Sequence, residues 1–446
     1  MFNKYSRYIL TICNMFYPKT PFLGKAALLE SEILKVHSAA LPQLLPWLCQ
    51  TPRTTTYRVN TLHSSVTEFK QKLESILSFK YGPAAPKVYG LPELPEILCI
   101  APLDSTTVAA YDDTHKQIIV DTSCGAALLR GAHIYAPGVL AMETGTQLRE
   151  LVNVFADLPG KCKRGTTTRY ECEQKIFLGV GEVLMQRHQL YNNTEQAPTG
   201  IAVQMKWNMS GVPALGDLSS EAAMLQNLPS IVCVRVLAPQ PGERILDMCA
   251  APGNKTSHIA ELMRNEGIVI ALDNSASRLR AMQSKLEHYS CIECHHFDAT
   301  KACHVDASPE SNRPPFPPNS FDRILLDAPC SGLGNRPQLC CSIKQPKVLE
   351  SYPHIQRRLM TQAVQLLRPG GVLVYSTCTV TEAECEELVA WTLRKFPQLQ
   401  LVEATPKLGA AALPLPELSP TLCELLQRFG PDLDTVGFFI AKFQKL

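Results

Sequence analysis

The sequence has almost no surplus of either charge: 43 lysines and arginines stand against 41 aspartates and glutamates, a formal net charge of +2. Such a chain carries no global field, so any hold on a polyanion must come from local patches. It also lacks an apolar run approaching the ~18 residues that a membrane helix needs, and no membrane partner is expected. Lys4 and Arg7, followed by Tyr8-Ile-Leu-Thr-Ile-Cys-Asn-Met-Phe, imitate a signal peptide but have no small-residue cleavage site. The 17 cysteines are odd in number, scattered, and without the spacing of a disulfide framework. That pattern points to reduced thiols and a cytoplasmic location. Cys291-Ile-Glu-Cys294 supplies half of a zinc site, but no second pair lies at ligand spacing, so no metal is expected. There is no internal repeat, no G-x-G-x-x-G turn and no Walker loop. Nothing in the sequence points to an obligate protein partner.

What is present is a globular chain of 446 residues, 45% apolar, long enough for two or three domains. Residues 1–110 mix helical patterning over 26–36 with strand signals such as Thr56-Tyr-Arg-Val-Asn-Thr-Leu, punctuated by Pro83, Pro86, Pro92 and Pro95. Residues 111–203 turn to short β-branched runs with Gly and Pro turns, the texture of a small β-barrel: Ile118-Ile-Val-Asp, Leu151-Val-Asn-Val-Phe, Lys175-Ile-Phe-Leu-Gly-Val-Gly. Residues 204–446 open with a helical stretch holding Leu225-Gln-Asn-Leu-Pro and residues 231–237, and strand and helix patterns then alternate to the end. The fold class expected is α/β, with a doubly wound parallel sheet in this last segment.

Three turns in that segment carry the chemistry. Arg244-Ile-Leu-Asp leads into Met248-Cys-Ala-Ala-Pro-Gly-Asn-Lys-Thr, a tight turn into a helix whose first N–H groups can receive a carboxylate or phosphate. Phe321-Asp-Arg-Ile-Leu-Leu leads into Asp327-Ala-Pro-Cys-Ser-Gly, and Gly371-Val-Leu-Val into Tyr375-Ser-Thr-Cys-Thr. Strand ends of open α/β sheets are where ligands bind, so Cys330 and Cys378 should converge on one crevice. Asp273 closes the run Ile268-Val-Ile-Ala-Leu-Asp, and Asp298 follows Phe297 at the end of a third strand-like stretch. A carboxylate at such a strand end can accept hydrogen bonds from both ribose hydroxyls of a nucleoside cofactor.

Taken in this order, the three turns resemble those of the Nop2/Sun family of S-adenosylmethionine-dependent RNA cytosine-5 methyltransferases. The resemblance runs from about Arg53 to Phe443, with Arg58-Val-Asn-Thr-Leu similar to the family's N-terminal motif and Gly437-Phe-Phe-Ile-Ala-Lys-Phe to its last strand. It implies a Rossmann-type methyltransferase domain with an N-terminal RNA-recognition-like region. The segment holding Leu129-Arg-Gly-Ala-His-Ile-Tyr-Ala-Pro-Gly-Val is similar to a PUA (pseudouridine synthase and archaeosine transglycosylase) domain. Such an insertion resembles that of the family's sixth animal member, which methylates transfer RNA near its 3′ end.

The resemblance implies roles for named residues. C5 of cytosine is a poor nucleophile until a thiolate adds to C6, so Cys378 would attack and Cys330 would assist release. Lys255 and Asp327 would hold the cytosine edge. Cys249, Ala250, Ala251, Pro252, Gly253, Asn254 and Lys255, with Asp273, Asp298 and Asp327, would hold S-adenosylmethionine. Asn254 stands where the family usually has a second glycine, a place where tolerance of positive φ would help. In the insertion, Lys161, Lys163 and Arg164 form a candidate phosphate patch, and Arg130 and Tyr135 are candidates for phosphate contact and base stacking. The expected partner is transfer RNA at its acceptor stem and 3′ CCA end. The alternatives are ribosomal or messenger RNA for the same chemistry, or an RNA-binding scaffold without turnover.

Overall fold

The computed structural model describes residues 17–23, 41–103, 111–191, 197–215, 218, 220–341, 343 and 345–446. The helical patterning at 26–36 and the signal-like stretch at 4–16 lie outside them.

The N-terminal layer holds α1 (Leu41–Cys49), β1 (Thr55–Val59), α2 (Val66–Tyr81), β2 (Val88–Leu91) and β3 (Leu94–Ile100). Helix α2 starts on a reciprocal capping box between Ser65 and Glu68. Phe69, Leu73 and Leu77, spaced at helical period, face the sheet and bury against Tyr57, Val59 and Leu98.

The insertion contributes β4 (Lys116–Val120), α3 (Thr122–Leu129), β5 (Ile134–Tyr135), β6 (Val139–Met142), β7 (Leu151–Asp157), β8 (Lys175–Val183), α4 (Arg187–Tyr191) and β9 (Ile201–Asn208). Its strands form one six-stranded sheet in the order β5-β9-β8-β7-β4-β6. One face packs with α3 around Val120, Leu128, Val154 and Leu178, and the other around Phe155 and Phe177. Two boundaries move. Strand β9 runs to Asn208, past the expected limit at residue 203, because Met205 still packs in the sheet's core. The strand β10 (Ala223–Leu225) then returns to the N-terminal layer and pairs antiparallel with β1, giving the order β10-β1-β3-β2. Leu225, expected in a helix, is therefore a strand residue, and α5 begins only at Leu228 (Leu228–Leu237).

The remaining elements are β11 (Arg244–Asp247), α6 (Asn254–Leu262), β12 (Ile268–Asp273), α7 (Ala276–Leu286), β13 (Ile292–His296), β14 (Phe321–Asp327), α8 (Pro346–Leu366), β15 (Leu367–Thr377), α9 (Glu386–Lys395), β16 (Leu399–Val402), α10 (Pro420–Cys423), β17 (Gln427–Phe429) and β18 (Phe438–Lys445). They build an eight-stranded sheet in the order β13-β12-β11-β14-β15-β18-β16, with β17 paired to β18. Neighbours from β13 to β15 are parallel, and β18 is antiparallel to both β15 and β16. Helices cover both faces, so the central strands are apolar on each side: Ile245, Leu246, Ile270, Leu325 and Val374 are fully buried. The strand order reverses between β11 and β14, which places the ligand crevice at their carboxyl ends. Among the described residues, no helix is long and apolar enough to cross a membrane.

Candidate active site

Strands β14 and β15 run in register with Asp327 beside Ser376, so the turns that follow them leave the sheet side by side. This register brings together the thiols of Cys330 and Cys378, 48 residues apart, with 3.3 Å between their sulfurs. The Asn335 side-chain amide lies 3.8 Å from the Cys378 sulfur. The Cys378 turn is braced by Gly334, whose N–H donates to the Cys378 carbonyl, and Gly334 in turn accepts from Gly437 N–H. A Cβ at Gly334 would stand 2.2 Å from the Gly437 carbonyl oxygen, so only glycine fits there.

Lys255, in the first turn of α6, donates to Asp327 Oδ2 at 2.7 Å, while Ser376 Oγ donates to Asp327 Oδ1 at 2.7 Å. Burial works against the Lys255 ammonium, but Asp327 and the thiols around it hold its pKa above the usual lysine value. The two thiols are pushed apart. The hydrogen bond from Cys330 lowers Cys378; burial and Asp327 oppose that, while Lys255 and Asn335 add to it. Sharing that proton raises Cys330, and burial raises it further. The arrangement is a thiolate-prone Cys378 beside a proton-holding Cys330.

At the other lip of the crevice, the turn after β11 is pinned to β12. Ala250 N–H donates to the Leu272 carbonyl, and Ala251 N–H to Asp273 Oδ2 at 3.1 Å. Asp273 Oδ1 takes Ser275 N–H, and Arg278 donates to the Ala251 carbonyl. A carboxylate accepting two backbone N–H groups retains lone pairs for two ribose hydroxyls. Gly253 caps α6 with φ of +97° and no side-chain hydrogen bond, so the helix's first N–H groups stay available to a carboxylate. A Cβ at Gly253 would meet Met282 at 2.9 Å and Leu286 at 3.0 Å. Asp247 is buried beneath the turn, where burial pushes its carboxyl up to about 7 although Thr256 donates to it. These donors and acceptors fit the amino-acid and ribose parts of S-adenosylmethionine.

Two expectations need correction. The left-handed position in this turn is Gly253, and Asn254 has ordinary helical backbone, so its departure from glycine demands no special φ. Asp298 does not end a strand: β13 stops at His296, and Asp298 caps a short 3-10 turn by accepting from Thr300 N–H and Oγ1. Phe297 N–H bonds to the Asp273 carbonyl, which still places Asp298 beside the β12 end.

Sequence reasoning missed Arg58 as a brace. Only 1% exposed, it donates from β1 to Gln226, to the Asn254 carbonyl, to Ser257 and to Glu261, locking the N-terminal layer onto α6. Its motif was visible, but a lone arginine in a strand reads as a solvent-facing charge.

In the insertion, Tyr135 is 53% exposed, and Lys161 and Lys163 are exposed. Arg164 is exposed too, and its Nη1 donates to the carbonyls of Pro137 and Val139 while the guanidinium lies over the Tyr191 ring. It thereby docks the basic loop against the turn that follows Tyr135. Arg130 lies at the border with the catalytic domain, 3.4 Å from the Arg336 carbonyl. Cys291 is buried in the apolar core next to Tyr289, and the described residues hold no cluster of three or more metal-ligating side chains.

A doubly wound sheet with a nucleoside turn, a strand-end acid and two facing thiols defines the class of a two-cysteine methyltransferase. The family model for 16S rRNA methyltransferase RsmB/F matches residues 234–444. The chain is 39% identical over 457 residues to the tRNA (cytosine(72)-C(5))-methyltransferase NSUN6 of Mus musculus, covering 96% of this chain and 94% of the mouse protein. The NSUN6 of Homo sapiens is 39% identical over 433 residues, with 90% of each chain covered. The crystal structure of NSun6 from Pyrococcus horikoshii with SFG superposes with a TM-score of 0.72 at 28% identity, covering 94% of this chain and 97% of that one. The protein belongs to the Nop2/Sun family of RNA cytosine-C5 methyltransferases and uses S-adenosylmethionine.

The free lone pairs of Asp273 give a direct prediction. Charge-assisted hydrogen bonds to ribose hydroxyls are worth roughly 1.5–3 kcal/mol each. Asp273→Ala should therefore weaken S-adenosylmethionine binding at least about tenfold by calorimetry. Unchanged affinity would remove Asp273 from the cofactor site.

Proposed function

We propose that this protein is a cytoplasmic enzyme that methylates C5 of one cytidine near the 3′ end of transfer RNA. The observation that carries the reading is the 3.3 Å pair of thiols beside the Lys255–Asp327 ion pair. DNA cytosine methyltransferases attack with a Pro-Cys thiol, whereas the presence of a second, Thr-Cys thiol marks the RNA class. In this reading the Cys378 thiolate adds to C6 of the cytosine. Asp327 accepts from the exocyclic amine and favours positive charge at N3, and Lys255 reaches O2 or N3. S-adenosylmethionine supplies the methyl group. Residues 249–255 with Asp273 and Asp298 hold it, and Asp327 stands at the junction of cofactor and base. After methyl transfer a base takes the C5 proton, the C–H electron pair restores the C5=C6 double bond and expels the Cys378 sulfur as a thiolate, and Cys330 assists that release.

The choice of transfer RNA draws support from the inserted sheet and from the mouse and human relatives, whose names give cytosine 72 of transfer RNA as their target. We read the insertion as a PUA domain, with Lys161, Lys163 and Arg164 contacting phosphates, Arg130 at a further phosphate and Tyr135 stacking on an unpaired base. A cytosine paired in the acceptor stem must be flipped out before C6 can be attacked.

The experiment compares intact transfer RNA with one lacking its terminal CCA. Removing one lysine–phosphate pairing should flatten the log–log salt slope of binding by roughly 0.7–0.9. Stacking is worth about 1–3 kcal/mol per base and depends little on salt. Trimming should cost more than Lys161→Ala, and Tyr135→Ala should partly erase the difference between trimmed and intact RNA. Equal methylation of trimmed and intact RNA would refute the 3′-end reading.

A further inference from the structure

Glu384 lies six residues past Cys378, in the acidic stretch Glu382-Ala-Glu-Cys-Glu, yet it is 1% exposed. Its carboxylate is turned inward and ties the two thiol-bearing turns together. Oε2 accepts from the backbone N–H of Ser331, the residue after Cys330, at 2.9 Å, and from Gln356 Nε2 at 3.0 Å. Oε1 accepts from Thr381 Oγ1 at 2.8 Å and lies 3.3 Å from the hydroxyl of Thr379, the residue after Cys378. The same Gln356 amide donates to the Pro329 carbonyl, one residue before Cys330, at 2.9 Å. Ser331 and Thr379 hydroxyls bond each other at 2.7 Å, and the Glu384 carbonyl accepts from buried Tyr375 OH at 2.6 Å. The side-chain and backbone groups that meet the carboxylate are all donors, the complement of a charged acceptor.

We infer that Glu384 is a positioning residue: it holds the Cys330 and Cys378 turns at their 3.3 Å spacing and keeps Cys378, not Cys330, as the attacking sulfur. The inference deepens the reading of Cys378 as nucleophile and rests on it. The charges around the pair are unevenly placed. Lys255, with Asp327 bound to it, and Asn335 act on Cys378, whereas Glu384 adds to the forces that hold the proton on Cys330. Tyr352 and the buried Tyr375 flank the Cys330 side and feel the same charge. A buried anion whose donors come from both turns makes spacing and proton placement one device. Without the charge, the proton shared by the two sulfurs redistributes towards Cys378, and its share of the thiolate falls.

The test uses Glu384→Gln, which keeps the shape and one acceptor oxygen but removes the charge. Iodoacetamide labelling of the full chain, read by peptide mass spectrometry, needs no RNA and so stands apart from the substrate assignment. The wild type should label first at Cys378, and Glu384→Gln should move label to Cys330. The rate at saturating RNA and cofactor should fall about tenfold or more, the equivalent of one charge-assisted hydrogen bond. Michaelis constants should stay within about twofold. A folded Glu384→Gln protein with the wild-type labelling ratio would overturn the inference. If that variant does not fold, Thr379→Val, which cuts one tie, should shift the ratio in the same direction; a wild-type ratio there would overturn it equally. Methyl transfer retained by Cys378→Ala would instead sink the underlying reading while leaving the labelling result interpretable.

Discussion

Cys378→Ala should lose methyl transfer down to background while binding S-adenosylmethionine as the wild type does. Removing the nucleophile from an enzyme with a covalent mechanism costs on the order of 10⁴- to 10⁶-fold in rate. Here the loss should be at the severe end, because an unactivated C5 has no other route to carbanion character. Cofactor affinity should be spared, since the groups that fit the cofactor lie on β11, α6 and β12, and Cys378 follows β15 on the far side of Asp327. Stability should change little: a thiol-to-methyl change at a half-buried position leaves the Gly334 N–H to Cys378 carbonyl bond in place. A tritium-transfer assay from labelled cofactor measures the first quantity and calorimetry the second. Activity retained in Cys378→Ala and lost only in Cys330→Ala would mean that the two sulfurs have exchanged roles.

Cys330→Ala should trap the reaction rather than prevent it. On the proposed mechanism the C6–sulfur bond still forms with Cys378 intact, but its β-elimination loses the neighbouring thiol that lies 3.3 Å from the Cys378 sulfur. Mixed with RNA and cofactor, this variant should give a denaturation-resistant protein–RNA band on a gel, at a yield far above the wild type. The double variant with Cys378→Ala should give none. A Cys330→Ala protein that turns over freely and leaves no band would argue that release needs no second thiol.

The catalytic sheet was legible because buried parallel strands read as continuous apolar runs. Ile245-Leu246, Val269-Ile270-Ala271 and Ile324-Leu325-Leu326 each form such a run, and each is fully buried. The convergence of Cys330 and Cys378 followed from placing both just past strand ends, and the pairing of Asp327 with Ser376 supplies the register that makes it so. The chain's return to the N-terminal layer was not legible. Strand β10 is three residues long and pairs with β1, on the other side of the whole insertion. No local pattern encodes such a pairing. The end of β9 was legible but passed over: Val203-Gln-Met-Lys-Trp-Asn208 alternates apolar and polar residues, the period of a half-buried strand, and Met205 packs inward. Arg58 and Glu384 were illegible for a shared reason: charged residues are ordinarily solvated, and only tertiary structure shows that donors and acceptors from distant segments surround them. A basic run in sequence likewise cannot reveal that Arg164 also bonds the carbonyls of Pro137 and Val139.

Site-resolved bisulfite sequencing tests the central claim most directly. A transfer RNA transcript ending in CCA is incubated with the protein and S-adenosylmethionine, beside a parallel reaction with Cys378→Ala. One cytidine in the acceptor stem, close to the 3′ end, should resist conversion with the wild type and convert fully with the variant. Methylation elsewhere in the molecule, or an unmodified transfer RNA while a ribosomal RNA fragment is methylated under the same conditions, would contradict the account.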